Sequence, residues 1–489
     1  MKNIMILLPV ILPLVLGFAS FHIKFDNEDK RSNYAFTAAL ITSVVSFITL
    51  FATSGTVLEI VSFTEKLIIA FKIDGLSCVF GGMVSLLWPL ATWYASEYMK
   101  HEGRQRKFFA FYIMTFGVTL GIAFSANMLT MYLFYEALTL ITLPLVTHSM
   151  DARAEYAGRK YIIYSVGGAS LSFVGMMLVL FYSGSLEFAY GGTVEFSDPV
   201  LLVAYLLMFM GFGVKAAIFP FHGWLPAASV APTTVTALLH AVAVVKAGVF
   251  AIMRTTYYLF GTHHLHNTWV QKVVMLMAII TICFGSWSAV KSRHLKRRLA
   301  YSTVSQLSYI VFAVTIMTPD SFTGGMAHML FHGFMKIVLF YTAGAILYTN
   351  HVEYVDEIEG FACKMRNTFF LFTVCSIALI GIPPLSGFMS KYAIATSAVR
   401  IVTLKNLLPM VGVCALMFSA FMTAIYLFEI IIKAYFPTKC FNDLHLEQVK
   451  EAPDRLVIPM AIITTIMVSV IFGGKPLFAF LENIAKGGF

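Results

Sequence analysis

Apolar residues along this chain fall in long runs separated by short polar stretches. A helix that crosses the hydrocarbon core of a bilayer needs about 20 apolar residues. On that measure the pattern predicts helical spans over residues 3–21, 33–53, 74–94, 108–124, 126–147, 160–182, 199–228, 232–259, 270–290, 298–317, 322–349, 367–398, 405–433 and 455–473. The expected fold is all-α, a polytopic membrane protein of about 14 transmembrane helices forming one integral domain over 1–489. Most connections are short and polar, and the longest is 434–454. The first run resembles a signal peptide in length, but no small-x-small cleavage site follows it cleanly, so it reads as a retained span.

Composition sharpens this. Hydrophobic residues make up 59% of the 489 and charged residues 12%, with mean hydropathy +0.81, against roughly 25% charged in a soluble domain. No stretch remains for a nucleotide-binding or protease domain, so no catalytic site is expected. The net charge of +9 does not point to nucleic acid, because the basic residues lie between apolar runs, as membrane topology requires. The six cysteines (Cys78, Cys283, Cys363, Cys375, Cys414 and Cys440) lack the spacing of a metal or iron–sulfur site. No cofactor is expected, and any redox chemistry belongs to another subunit. Sorting Lys and Arg onto the two sides places 21 on one and 9 on the other. The positive-inside rule puts the richer side in the cytoplasm and both termini outside the cell membrane. Four lysines, Lys215, Lys246, Lys336 and Lys391, fall inside apolar runs.

Two runs carry helix breakers. The stretch 199–228 contains Gly211, Gly213 and Pro220, and 367–398 contains Gly381, Pro383, Pro384 and Gly387. Proline removes a helical hydrogen bond, and in lipid the freed carbonyls need protein or water around them. A kink at one proline is ordinary in membrane helices. Broken helices in both halves of a transporter mark an ion path, and here a buried lysine accompanies each break.

A charge in the bilayer interior is costly and calls for a partner. Glu136 is the one acid well inside a run, and Lys215 is its natural counter-charge, either as a static ion pair or as a switch that loads and unloads a proton. Lys246 follows His240 by nearly two turns, a separation that one water can bridge. His328, His332 and Lys336 recur every four residues and share a helical stripe. Two histidines so spaced can bind a metal, but no third ligand is evident, so no metal site is expected and a proton relay or buried packing remains. His222 and Trp224 read as caps of the broken helix, and Glu429, four before Lys433, as an interfacial salt bridge. The run 291–298 reads as a topogenic cytoplasmic loop and 262–266 as a solvated outer loop.

Together the Gly-Val-Lys215-Ala-Ala-Ile-Phe-Pro-Phe-His-Gly-Trp-Leu-Pro stretch, Glu136, His240 to Lys246, Leu-Ala-Tyr-Ser-Thr-Val-Ser-Gln306, His328 to Lys336 and Gly-Ile-Pro-Pro-Leu-Ser-Gly-Phe-Met-Ser-Lys391 resemble the antiporter-like proton-translocating subunits. That superfamily includes membrane subunits of respiratory complex I, of membrane-bound hydrogenases and of Mrp-type sodium/proton antiporters. The resemblance implies two inverted five-helix repeats, over 107–260 (spans 4–8) and 268–434 (spans 9–13), with a polar axis along the membrane plane. It also implies that Glu136 and Lys215 gate the proton, Lys246 passes it on, and Lys391 exchanges it with the other side. Lys391 as the terminal residue, and no long lateral helix after the last span, look like the D-type subunit of an Mrp antiporter.

The expected function is therefore proton translocation within a multisubunit sodium/proton antiporter, with other membrane subunits as partners. Whether sodium crosses this subunit stays open. The alternative is a proton-pumping subunit of a complex I-type NADH:quinone oxidoreductase or membrane-bound hydrogenase. A non-conducting scaffold is the third reading. Glu429 has no role in the family pattern.

Overall fold

The computed structural model describes residues 2–53, 55–404, 406–437 and 446–488. Cys440 and the middle of the 434–454 connection lie outside the described residues. In chain order the elements are α1 (Lys2–Met5), α2 (Leu8–His22), α3 (Glu28–Ala52), β1 (Val57–Thr64), β2 (Leu67–Lys72), α4 (Gly75–Tyr98), α5 (Gln105–Ala123), α6 (Met128–Val146), α7 (Ala152–Tyr182), α8 (Val200–Lys215), α9 (Trp224–Ala228), α10 (Thr233–Ala241) and α11 (Val244–Met253). The second half holds α12 (Thr262–Leu265), α13 (Trp269–Lys291), α14 (Leu295–Ile316), α15 (Pro319–Asn350), α16 (Arg366–Ile380), α17 (Ser386–Arg400), α18 (Leu408–Tyr435) and α19 (Asp454–Ala485).

Eleven helical stretches among the described residues are long and apolar enough to cross a membrane, counting α10, α11 and the turn after them as one. Shorter apolar helices occupy Leu8–His22, Val200–Lys215 and Arg366–Ile380. The last two are short because breaks cut them, at the two places marked by glycine and proline. Helix starts follow from local chemistry. The side chains of Asp74, Asn127, Asp151 and Thr268 accept first-turn backbone N–H groups of α4, α6, α7 and α13, as N-caps do.

Two features differ from the sequence pattern. The connection 54–73 is an antiparallel hairpin, with Val57 opposite Lys72 and Thr64 opposite Leu67. Its β-branched residues favour extended backbone, and it is anchored by Ala70 N donating to Thr130 Oγ1 at 3.0 Å and by Asn127 Nδ2 donating to Ile68 O at 2.8 Å. The run 232–259, expected as one unbroken helix, is interrupted at Val242 and Ala243 and then widens to a π-helix over Arg254–Phe260. No proline marks this third break. It survives in lipid because the whole stretch is enclosed by protein, which supplies partners for freed backbone groups.

Burial divides the helices into a centre and a periphery. The most hydrophobic window of Thr233–Phe260 is 100% buried, that of α14 94% and that of α15 89%, whereas α19 is 33% and α7 and α18 are 39%. Two of these three central elements, Thr233–Phe260 and α15, carry His240, Lys246, His328, His332 and Lys336. Their polar side chains thus face protein rather than lipid.

Candidate functional site

At the first break α8 ends on Lys215, and Ala217 takes a left-handed conformation (φ 57°). The carbonyl of Val214, released by the break, accepts the indole N–H of Trp224 at 2.7 Å. Trp224 thus caps the break, as its position suggested. His222 does not cap: it stacks between Phe219 and Phe284, centroids 5.7 and 4.5 Å away. Lys215 is fully buried, donates to the backbone carbonyl of Tyr135 on α6, and lies 3.3 Å from that tyrosine's ring centroid. Its Nζ is 4.0 Å from Glu136 Oε1. Glu136 Oε1 accepts no hydrogen bond among the described residues, so the contact is an ion pair at the limit of range. A pair this loose can open with a small side-chain movement.

Lys246 lies beyond the unpredicted break, so it and His240 do not share one regular helix. Its ammonium instead crosses to α15, donating to Met329 O at 2.9 Å and meeting His332 Nδ1 at 2.9 Å. A charged lysine donates to Nδ1, which leaves the ring proton on Nε2. On another face of α11, Gly248 permits a close approach to α8. A methyl group there would come within 2.5 Å of Ala216 N and 2.9 Å of Lys215 C, so α11 packs directly on the backbone of the first break. His240 turns the other way, against Phe340 (centroids 4.8 Å), with neither ring nitrogen bonded among the described residues.

His328, His332 and Lys336 do share one face of α15, but each meets a different helix. His328 Nδ1 is 3.0 Å from Ser390 Oγ on α17, His332 meets Lys246, and Lys336 donates to Leu299 O on α14 at 3.0 Å. The two imidazole centroids are 6.0 Å apart, and both Nε2 atoms are buried without a bonded partner among the described residues.

At the second break Gly381 adopts φ 93°. The freed carbonyls of Leu379 and Ile380 accept from Lys391 Nζ at 2.6 and 3.0 Å. Tyr309 lies between the two groups, stacked on His328 (5.4 Å) with its centroid 5.1 Å from Lys391 Nζ. The polar side chains therefore follow one another from Glu136 to Lys391, with a direct contact from Lys246 to His332 and Tyr309 between His328 and Lys391. Pro220, Pro383 and Pro384 sit in the two connections as expected.

Glu429 is tied to Lys433 at 3.0 Å, as its spacing suggested, and also to Arg298 at 2.7 Å, while Lys433 reaches Asp356 at 2.5 Å. From this cluster a buried ladder of hydroxyls climbs between α14 and α18. Ser302 meets Tyr426 at 2.5 Å, and Ser286, Ser305 and Ser419 bond to one another at 2.5–2.8 Å.

Several of these residues escaped the sequence reading. Tyr135, Tyr309 and Ser390 act through a ring face, a carbonyl or a single hydroxyl, which no spacing rule marks. Arg254, counted among residues on the outer side, is fully buried and pairs with Asp74 through both terminal nitrogens, one bond at 2.8 Å. The rings of Phe250 and Tyr258 flank it, 5.1 and 4.6 Å from their centroids. The one signal was an arginine at the end of an apolar run, where loops also begin.

Comparison with known proteins identifies the family. The family described as NADH:quinone oxidoreductase/Mrp antiporter, transmembrane, matches residues 125–423, and that described as NADH-ubiquinone oxidoreductase (complex I), chain 5 N-terminus, matches 62–109. NADH-quinone oxidoreductase subunit L of Mycobacterium tuberculosis is 31% identical over 75% of this chain and 57% of its own. The A/B subunit of a probable K(+)/H(+) antiporter of Rhizobium meliloti is 29% identical over 81% of this chain and 40% of its own. The matches span about half the length of these relatives. A chain of the Mrp complex of Dietzia sp. DQ12-45-1b shares the fold with TM-score 0.84 at 20% identity, covering 98% of this chain and 96% of that one. This chain, with most of its length matched and its polar residues on the buried helices, belongs to the NADH:quinone oxidoreductase/Mrp antiporter transmembrane family.

Proposed function

We propose that this protein moves protons along the row from Glu136 and Lys215 through Lys246, His332 and His328 to Lys391, as one subunit of an Mrp-like sodium/proton antiporter. The observation that carries the reading is the contact of Lys246 with His332, since it joins the two halves of the chain through titratable groups. When Glu136 moves off, Lys215 loses its counter-charge in a buried site and its proton becomes easier to release. Lys246 and His332 exchange a proton by direct contact, and a water carries it to His328. Ser390 and Tyr309 surround the last step to Lys391, which exchanges with the opposite side.

In this reading 107–260 and 268–434 are inverted repeats, each with one helix broken at glycine and proline, and both termini lie outside the cytoplasm. His240 and Lys336 form a side branch that sets the field around His332. Moving one charge against 100 mV takes about 2.3 kcal/mol. In this reading the driving force comes from partner subunits or a counter-ion gradient. The similarity to subunit L of an NADH-quinone oxidoreductase supports the second reading, a proton-pumping subunit of a complex I-type assembly.

The test is Lys246→Ala in the assembled complex, in inverted vesicles with a pH-sensitive dye. Loss of proton movement with assembly intact supports the path, and undiminished transport overturns it in favour of a scaffold. Sodium-driven proton movement in the wild type selects the antiporter, and its absence, with iron–sulfur partners copurifying, selects the respiratory assembly.

A further inference from the structure

A recess of about 690 Å³ opens at the Lys/Arg-rich face, where the start of α7 meets the connections after α9, α13 and α15. Arg153, Lys291, Arg293, Lys296 and Arg297 line it, and Glu353 is the only acid among its lining residues. None of the five cations forms an ion pair with a described residue, whereas Arg298, next in sequence, is held by Glu429. Lys296 is buried and donates to Ala231 O at 3.2 Å, so its charge is fixed in the wall. Glu353 is engaged with His294, Oε2 to Nε2 3.3 Å. Burial, then the charges of Lys296 and Arg297 against the pull of Glu353, holds His294 below the usual imidazole range. The recess also receives the start of α14, whose first turn has neither a side-chain cap nor an acidic residue. Leu295 N donates to Glu353 O at 2.9 Å, the following amides lack a side-chain cap, and these together with the unpaired cations favour an anion.

The surroundings say which kind of anion. On α13, Val273, Leu276, Ile280 and Trp287 are 37–50% exposed and follow a helical stripe that ends at Lys291 on the lip of the recess. Lys291 Nζ lies 4.8 Å from the Trp287 ring centroid. Trp269, also exposed, sits 18 residues before Trp287, about 27 Å along the helix, close to the thickness of the hydrocarbon layer. Tryptophans at such a spacing sit at the two interfaces, which places the recess at headgroup depth with an apolar stripe leading away from it. A small free phosphate would use the cations but not the stripe.

We infer that this recess binds the phosphate headgroup of an anionic phospholipid, with its acyl chains lying along the exposed stripe of α13. Clustered Lys and Arg at a membrane surface each add about 1 kcal/mol toward anionic lipid. The site is independent of the proton path, and its failure would leave that path untouched.

The test uses the full-length protein after mild extraction, with bound lipid counted by mass spectrometry and thermal unfolding followed with added phosphatidylglycerol, phosphatidylcholine or inorganic phosphate. Phosphatidylglycerol is expected to stay bound and raise the midpoint, while the other two leave it unchanged. Arg293→Gln with Arg297→Gln should weaken retention about thirtyfold, and Lys272→Gln with Lys364→Gln, which removes two charges elsewhere, should not. If the first pair fails to fold, Lys291→Gln alone should lower retention about fivefold. Equal protection by inorganic phosphate, equal binding of both lipids, undiminished retention in the recess variants, or absence of the lipid from the whole complex would each overturn the assignment.

Discussion

The two breaks hold a lysine in different ways. At the first, Lys215 ends α8 and looks across to α6, where a carboxylate 4.0 Å away and a tyrosine ring share its charge, while Trp224 satisfies the freed carbonyl. At the second, Lys391 satisfies the freed carbonyls itself, at 2.6 and 3.0 Å, and no ion pair to it exists among the described residues. A carboxylate on another helix can move and take its stabilisation with it. Backbone carbonyls fixed by a turn cannot. In the proposed function the first site is thus the one that changes its affinity for a proton, the gate, and the second the steadier exchange point.

Charge reversal should separate the two most sharply. Lys215→Glu sets two carboxylates at about the present ion-pair distance, and proton transport in vesicles is expected to vanish. Lys391→Glu meets only carbonyls, to which a protonated glutamic acid can donate, so measurable transport should persist. Equal loss in both would break the comparison. Next comes Trp224→Phe, which removes the indole bond and leaves the Val214 carbonyl with only the Ala217 amide at 3.1 Å, and should destabilise the protein by about 0.5–1.5 kcal/mol in thermal unfolding. The hydroxyl ladder is smaller: Ser419→Ala keeps the Ser286–Ser305 bond and should cost about 0.6 kcal/mol. A larger transport defect than that stability loss explains would bring the ladder into the path.

The weakest effect lies at the surface. The hydrogen bond from Lys433 holds the Asp356 carboxyl below its usual range, opposed by slight burial and helped by the charges of Lys433 and Arg293. Its contribution is therefore present above the ordinary carboxylate range and is lost as pH falls through the lowered value. Asp356→Asn should cost under about 1 kcal/mol at neutral pH, and the difference from wild type should close in acid.

Much of this was legible in the chain. Long apolar runs marked the helices, glycine and proline marked both breaks, and the rarity of charge inside the runs singled out Glu136 and the four lysines. The third break was not legible, because Val242 and Ala243 carry no breaker and only their enclosure by neighbouring helices lets the backbone open. The partner of Lys246 was misplaced for the same reason: sequence proximity favoured His240, whereas the break turned it toward His332. Arg254 was hidden because an arginine closing an apolar run reads as the start of a loop.

The sequence by itself determined the lipid-crossing elements and the residues too costly to bury without purpose, since both follow from transfer energies that each segment carries alone. Only the tertiary structure decided which of those residues meet and which helix each one faces. Those contacts join distant segments, 86 positions apart for Lys246 and His332 and 180 for Arg254 and Asp74, and such a hydrogen bond is set by how helices pack rather than by any local pattern.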